Sequence, residues 1–337
     1  MAEIAIEYWR GERMESRARA DVAVVDSLGQ VRYWFGDPDR ATFWRSSAKP
    51  FQAMPVIESG AADRFHFGPR EVAIICASHG GESMHVELVQ DLLQRIDAKP
   101  EHLICGVHPP SHRPAALALL HRGQEPEVLH NNCSGKHTGM LTLARGLGVP
   151  LEGYQKPDHP VQQAIRQNVA YMTGLDEDSL YTGTDGCGVP TFYLSLRRMA
   201  YAYARLVDPR GLEPAKQASA MIIAEAMRMH PELVSKSESL EVDLAQASNH
   251  RFVSKGGAEA VFCLGLPDKG LGLAMKIDDG ISRAVPTLLA GVLQQMGVLS
   301  ASEQMALDPL FHPVLKNHAG TVVGDVRVVM ELRAGRL

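Results

Sequence analysis

The chain has 337 residues, of which 45% are hydrophobic and 22% charged, so it can bury a sizeable core. Its formal net charge of −5 removes any electrostatic reason to expect nucleic acid or an anionic membrane surface as a partner. No uninterrupted apolar run reaches the roughly 18 residues of a conventional membrane-spanning helix.

The N-terminal residues and the cysteine content both favour a cytoplasmic location. Residues 1–11 contain Glu3 and Glu7 and lack the basic and apolar regions of a signal peptide. The five cysteines are odd in number and widely scattered, which disfavours a disulfide framework and favours free thiols in a reducing compartment. They are Cys76, Cys105, Cys133, Cys187 and Cys263.

In chain order, the first predicted elements are strands. Residues 21–26 and 30–35 predict a hairpin across a Leu-Gly turn. The apolar run 71–77 predicts a buried strand that enters a tight glycine loop. Helical spacing then predicts a helix over 84–96, and another helix begins near Cys133.

The second half alternates in the same way. It predicts helices over 161–173, 191–206, 213–229 and 281–296, a hairpin of strands 258–266 and 270–277, and a final strand over 321–333. Strands at both ends with helices between them predict an α/β (mixed α+β) fold, in which helices cover both faces of a central mixed sheet. We expect one domain over residues 1–337, either undivided or with two lobes and a cleft between them.

The first chemical pattern is a serine and a lysine three residues apart, Ser46 and Lys49, followed by Pro50. Residues at this spacing share a helix face, and proline is tolerated in a first helical turn. A lysine made neutral by desolvation can take the proton of a serine hydroxyl and activate it as a nucleophile. The alternative is an N-cap serine beside a solvated lysine.

Two further segments extend this pattern. Ser78 follows the predicted buried strand, and Lys255 precedes a pair of glycines next to another predicted strand. Serine β-lactamases and penicillin-binding proteins combine Ser-x-x-Lys, a serine loop and a Lys-Thr-Gly strand in this chain order. The alternative that Ser78 caps a helix and the glycines only form turns stays open.

The second chemical pattern contains Cys133 and His137, and much later Asp185 and Cys187. Cysteine, histidine and aspartate can all bind zinc, although the spacing contains no Cys-x-x-Cys pair. Cys133 could instead be a nucleophile with His137 as its base, or either thiol could simply be buried. No glycine-rich loop of the phosphate-binding kind supports nucleotide dependence.

Seven motifs together resemble the bacterial asparaginase II family, the rhizobial-type asparaginases. They follow the family order from about residue 20 to residue 327, and the longest of them is highly specific. They are residues 45–52 (RSSAKPFQ), 77–82 (ASHGGE), 131–141 (NNCSGKHTGML), 185–192 (DGCGVPTF), 255–259 (KGGAE), 276–280 (KIDDG) and 317–320 (NHAG).

The resemblance implies a fold similar to serine β-lactamases and bacterial glutaminases, a homodimer, and hydrolysis of L-asparagine to L-aspartate and ammonia. It makes Ser46 the expected nucleophile with Lys49 as its partner, and Ser78 and Lys255 a second serine–lysine pair. It also implies a zinc ion held by Cys133, Lys136 and Cys187. The expected substrate-binding residues in the same motifs are Arg45, His79, Asn132, His137 and Asp185.

The chain departs from the family pattern over residues 235–247, and Ala260 stands where the family usually has glycine. We expect this segment near the rim of the cleft, where it would affect the preference for asparagine or glutamine. Two other functions therefore remain open. One is a β-lactam-type serine hydrolase, which uses the same Ser-x-x-Lys chemistry, and the other is a catalytically silent amino-acid-binding relative.

Overall fold

A nine-stranded antiparallel sheet organises the molecule in a computed structural model that describes residues 2–335. Its strands lie in the order β10-β11-β1-β2-β9-β8-β7, with β3 on β2 and β12 on β3, while β4, β6 and β5 form a small second sheet. The strands are β1 Glu3–Arg10, β2 Arg13–Asp26, β3 Val31–Phe35, β4 Ala41–Phe43, β5 Tyr181–Thr184, β6 Pro190–Ser195, β7 Val253–Gly257, β8 Val261–Leu266, β9 Leu271–Ile277, β10 Val314–Lys316, β11 Val322–Val328 and β12 Arg333–Ala334.

Helices fill most of the chain between β4 and β7 and follow β9. The α-helices are α1 Lys49–Glu58, α2 Ala61–Arg64, α3 Pro69–Ile75, α4 Ser83–Arg95, α5 Arg113–His121, α6 Ser134–Leu147, α7 Pro160–Thr173, α8 Leu196–Val207, α9 Pro214–Met229, α10 Pro231–Val234, α11 Leu240–Ala247, α12 Val285–Gln295, α13 Ala301–Ala306 and α14 Asp308–Phe311. Short 3₁₀ helices cover Arg45–Ala48, Pro100–His102, Val128–His130, Glu177–Ser179 and Ser282–Ala284. Across residues 2–335, no helix is long and apolar enough to cross a membrane.

The central sheet is buried on both faces because apolar residues continue along its inner strands. In β2, Val22 and Val24 belong to one buried cluster, while Ala23 and Val25 belong to another. This alternation follows from the two-residue period of a strand. Helix α8 packs on the sheet on the side of Ala23, and α12 covers the opposite face. Helices α1, α3, α6, α7 and α9 contribute to the same buried cluster as α8.

Most predicted elements are confirmed. The first hairpin is β2 and β3, paired from Val22 with Phe35 to Val25 with Val31. The helices predicted over 84–96, 161–173, 213–229 and 281–296 are α4, α7, α9 and α12, and the late hairpin is β8 and β9. The predicted architecture of a sheet flanked by helices is confirmed as well.

Three expectations about elements are corrected. The run 71–77 is not a strand, because Pro69 opens the helix α3 there and Glu71 Oε2 accepts the Gly68 N–H at 2.9 Å as a capping interaction. The helix predicted over 191–206 is the strand β6 followed by α8. Every strand pair recorded in residues 2–335 is antiparallel, so the sheet is not mixed.

Candidate active site

Ser46 lies in the 3₁₀ turn Arg45–Ala48, which runs directly into α1. The Lys49 N–H donates to the Ser46 carbonyl, so the two residues are one helical turn apart, as their spacing predicts. Arg45 opens the turn with a φ of 51°, a left-handed conformation that is unusual for a long side chain. The Ser46 side chain is half-buried, whereas the neighbouring Ser47 is buried and donates its hydroxyl to the Lys255 carbonyl at 2.9 Å.

Lys49 links three chain segments at the floor of the site. Its fully buried Nζ donates to the Ala77 carbonyl at 2.5 Å, to Ser78 Oγ at 2.9 Å and to Cys133 Sγ at 3.3 Å. Burial lowers the pKa of Lys49. The amine therefore hydrogen-bonds the second serine of the predicted set, while the Ser46 hydroxyl has no protein hydrogen bond recorded within residues 2–335.

The loop after α3 presents the half-buried Ser78 beside this lysine. Its backbone is held because the Ser78 N–H donates to the Val234 carbonyl at 2.8 Å and the His79 N–H donates to the Asn132 carbonyl at 3.2 Å. His79 is fully buried, with Nε2 2.9 Å from Ser134 Oγ and Nδ1 accepting the Gly81 N–H at 3.2 Å. Both ring nitrogens of His79 thus have hydrogen-bond partners inside the protein, and the side chain stabilises the Ser78 loop.

Two thiols and an amine meet where α6 begins. Cys133 is the N-cap residue of α6, Lys136 lies in its first turn, and Cys187 belongs to the tight turn between β5 and β6. All three side chains are buried, and Lys136 Nζ lies 2.9 Å from Cys187 Sγ. The contact between the two thiols lowers the pKa of Cys133 well below its usual range and raises that of Cys187.

His137 and Asp185 lie beside this cluster. The buried His137 ring places Nδ1 2.5 Å from Tyr154 Oη, while its buried Nε2 has no hydrogen-bond partner among residues 2–335. Burial lowers the pKa of His137 well below its usual range, and the positive charges of Lys136 and Lys49 act in the same direction. Asp185 accepts the Arg45 guanidinium at 2.8 Å, and although burial opposes it, Lys136 and Arg45 lower the pKa of this carboxyl.

The residues of this cluster fit a zinc ion by their chemistry. Cysteine sulfur is a donor that a borderline-soft cation favours, and the Nε2 of His137, without a hydrogen-bond partner in residues 2–335, is a further polar atom beside the two thiols. Lys136 can join them only as a neutral amine, and although burial favours that form, Cys133 and Cys187 raise its pKa, so a bound ion would have to displace its proton. Within residues 2–335, no group of three histidine, cysteine, aspartate or glutamate side chains has metal-binding geometry. The donor set therefore depends on Lys136, which sequence spacing alone does not identify.

Lys255 lies on β7, and its side chain is 1% exposed. Its Nζ donates to the Gly256 carbonyl at 2.8 Å and lies 3.9 Å from Glu241 Oε1, with no hydrogen bond to Ser78 recorded in the described chain. Burial lowers the pKa of Lys255 to about 8. The predicted second serine–lysine pair is therefore arranged differently, with Ser78 on Lys49 and Lys255 near a carboxylate.

Three neighbours of the site are absent from the sequence analysis as functional residues. Tyr154 binds His137, and the Asn132 N–H donates to His108 Nε2 at 3.1 Å, with that same nitrogen 3.4 Å from Asn132 Oδ1. Glu241 approaches Lys255 from α11. Only Glu241 carries a sequence signal, because it lies in the segment 235–247 that departs from the family pattern.

Comparison with known proteins gives one family and a set of distant folds. The family model for L-asparaginase II matches residues 6–328, while no curated protein matches the chain. A β-lactamase from Mycobacterium bovis is 13% identical with a TM-score of 0.43, over 82% of this chain and 94% of that one. A β-lactamase/D-alanine carboxypeptidase from Pseudomonas syringae is 11% identical with a TM-score of 0.44, over 82% of this chain and 93% of that one.

Proposed function

We propose that this chain, which belongs to the L-asparaginase II family, is an L-asparagine amidohydrolase that releases L-aspartate and ammonia. The observation that carries the proposal is the buried Lys49, which lies one helical turn after Ser46 and whose amine hydrogen-bonds the hydroxyl of Ser78 and the thiol of Cys133. A desolvated lysine beside two half-buried serines suits acyl transfer through a serine ester.

In the proposed reaction, Ser46 Oγ attacks the side-chain amide carbon of asparagine. Lys49 accepts the hydroxyl proton, and its lowered pKa favours the neutral amine that this step needs. The C–N bond then breaks, and ammonia leaves with a proton relayed through Lys49 and Ser78, which are 2.9 Å apart. A water molecule hydrolyses the ester by the reverse proton transfers and frees aspartate.

The ion pair of Arg45 and Asp185 supports an amino-acid substrate. It places one cation and one anion in partly exposed positions, with Arg45 directly before Ser46 in the chain. A zwitterionic substrate carries one carboxylate and one ammonium group, which can bind this pair by charge-assisted hydrogen bonds. Asn132 and His137 complete the proposed substrate-binding set, and His79 supports the Ser78 loop from within the protein.

A zinc ion is part of the proposal. Cys133, Lys136 and Cys187 would hold it, and when bound it would supply a fixed positive charge beside the substrate. The residues of the chain carry the proton transfers described above. We also propose that the enzyme is cytoplasmic and forms a homodimer. Light scattering of the purified protein tests the homodimer directly.

The serine role is tested by ammonia release from L-asparagine and L-glutamine by purified Ser46→Ala. We expect a loss of at least about a thousandfold in kcat, since the nucleophile is removed. Ser59→Ala, at the far end of α1, is the matched control and should retain wild-type activity. Activity of Ser46→Ala within tenfold of wild type rejects the nucleophile.

The same preparation separates the competing functions. Covalent labelling by a fluorescent penicillin, without ammonia release, would indicate a β-lactam-type serine hydrolase. Asparagine binding by calorimetry without any ammonia release would indicate a catalytically silent relative.

A further inference from the structure

Glu241 is a buried carboxylate that none of the proposed chemical steps uses. It lies in the first turn of α11 and is 8% exposed. Its Oε1 accepts the Gly256 N–H at 2.9 Å, and its Oε2 accepts the Ser235 hydroxyl at 3.4 Å. Carboxylates are buried at this level only when they are paired, so the neighbours of Glu241 identify its role.

The cationic neighbour of Glu241 is Lys255, whose Nζ lies 3.9 Å from Glu241 Oε1. The hydrogen-bond partner of this buried ammonium group is the Gly256 carbonyl. A Cβ atom added at Gly256 would lie 3.1 Å from Glu241 Oε1, a tight contact. The glycine at position 256 therefore leaves room for the carboxylate to reach both the amide and the lysine.

The segment that carries Glu241 also holds the loop of Ser78. The Ser237 N–H and hydroxyl donate to the Glu82 carboxylate at 3.0 Å and 2.6 Å, and the Val234 carbonyl accepts the Ser78 N–H. Residues 234–241 therefore contact the Ser78 loop through Val234 and Ser237, and they contact β7 through Glu241.

We propose that Glu241 is a positioning residue for Lys255, whose ammonium group it orients while it anchors the amide of Gly256. The inference rests on the proposed amidohydrolase function, because it assigns Lys255 a place in that site. Glu241 lies within residues 235–247, the segment that departs from the family pattern, so the proposal assigns that segment a role in the site.

The electrostatic surroundings of Lys255 support this role. Burial lowers the pKa of Lys255 to about 8, and Glu241 opposes that effect most strongly. Among the other titratable groups, Lys49 of α1 also lowers the pKa of Lys255, and the thiols of Cys133 and Cys76 raise it. Removing the Glu241 charge should therefore lower the pKa of Lys255 further.

The experiment measures that pKa directly, by carbon-13 NMR of the full-length chain with labelled lysines, with the Lys255 signal assigned by its loss in Lys255→Met. In Glu241→Gln, which keeps an oxygen for the Gly256 amide, we expect the pKa of Lys255 to fall by about one unit. In the pH profile of kcat, the limb that reflects ionisation of Lys255 should move to lower pH by the same amount. Asp243→Asn removes an exposed charge from the same helix and should change neither.

An unchanged Lys255 pKa in a folded Glu241→Gln protein overturns the proposal. If that variant does not fold, Glu241→Asp carries the test, because its shorter carboxylate lies farther from Nζ and should still lower the pKa, by a smaller amount. The NMR titration does not depend on turnover. If the wild-type protein releases no ammonia but Glu241→Gln still lowers the pKa of Lys255, the proposed amidohydrolase function is refuted. The pairing of Glu241 with Lys255 then still holds.

Discussion

At the scale of residues, backbone conformation explains one departure from the family pattern. Ala260, where the family usually has glycine, has a φ of 55° in the turn between β7 and β8. A left-handed conformation costs an L-residue about 1–2 kcal/mol and costs glycine nothing, which accounts for the usual glycine. The Ala260 methyl is buried, and burying one such group contributes about 0.8 kcal/mol in return. Burial of the methyl group therefore offsets only part of the conformational cost.

The site residues show what sequence motifs can and cannot establish. The motifs identify Ser46, Lys49 and Ser78 as candidate catalytic residues. The i, i+3 spacing places Ser46 and Lys49 on one helical turn. The spacing cannot reveal that the Lys49 amine hydrogen-bonds Ser78, because that contact joins residues 29 apart in the chain. It also cannot reveal that the His79 ring is occupied by internal hydrogen bonds.

The assignment of Lys49 as the proton acceptor predicts a large effect of Lys49→Met. We expect kcat for asparagine to fall by about 10²–10⁴-fold, the range of a lost general base. Lys49→Arg should be equally impaired, because a guanidinium keeps the positive charge and cannot give up its proton. Steady-state assays of both variants, with circular dichroism as the folding control, check this. An active Lys49→Arg enzyme would contradict the role.

At the scale of elements, an apolar run does not by itself distinguish a strand from a buried helix. Residues 71–77 are almost entirely apolar because α3 is covered by α4, α6 and α9, so no polar face remains to show the helical period. The signals that decide the element lie before the run, in Pro69 and in the carboxylate of Glu71. The prediction for residues 191–206 shows the opposite error, because the predicted helix includes a strand. The short strand β6 leads into α8 without an intervening loop.

The close contact between α8 and β9 leaves no room for a side chain at Gly272. A Cβ atom there would lie 1.9 Å from the Ala200 carbonyl oxygen and 2.4 Å from the Ala204 nitrogen, both of them backbone atoms. We expect Gly272→Ala to lower the free energy of unfolding by at least about 3 kcal/mol, because the helix must move off the sheet.

Urea unfolding followed by circular dichroism measures this change. At Gly186, an added Cβ atom meets no atom within 4 Å in the described part of the chain, apart from the adjacent residues, so the same substitution there should leave the free energy of unfolding nearly unchanged. A loss at Gly272 no larger than at Gly186 would show that the helix does not approach the sheet this closely.

At the scale of the whole molecule, the fold brings together segments that are distant in sequence. The turn of Ser46, the Ser78 loop, the start of α6, the turn at Cys187 and the strand β7 contribute to one site, although they span residues 45–255. Hydrogen bonds of Lys49 and Lys136 connect four of these segments, and the Ser47 hydroxyl connects the fifth. The site is therefore a product of the packing of the helices on the sheet.

The proposed zinc ion would bind two of these segments together, so it should stabilise the whole fold. With free zinc a hundredfold above its dissociation constant, we expect a gain of about 2.7 kcal/mol in the free energy of unfolding. Cys133→Ser and Cys187→Ser should lose the gain and the bound metal, whereas Cys263→Ala, a buried thiol on β8, should keep both. Elemental analysis and thermal unfolding with and without chelator check this. Equal metal content in all three variants would contradict the proposed zinc site.

The sequence alone determined the family and most of the strands and helices, and it supplied the candidate residues of the site, because those properties are written in contiguous motifs and local periodicity. The tertiary structure decided which serine the buried lysine binds, the antiparallel order of the sheet and the position of Glu241 beside Lys255. These depend on contacts between residues that are far apart in the chain, and on desolvation, which no local pattern records.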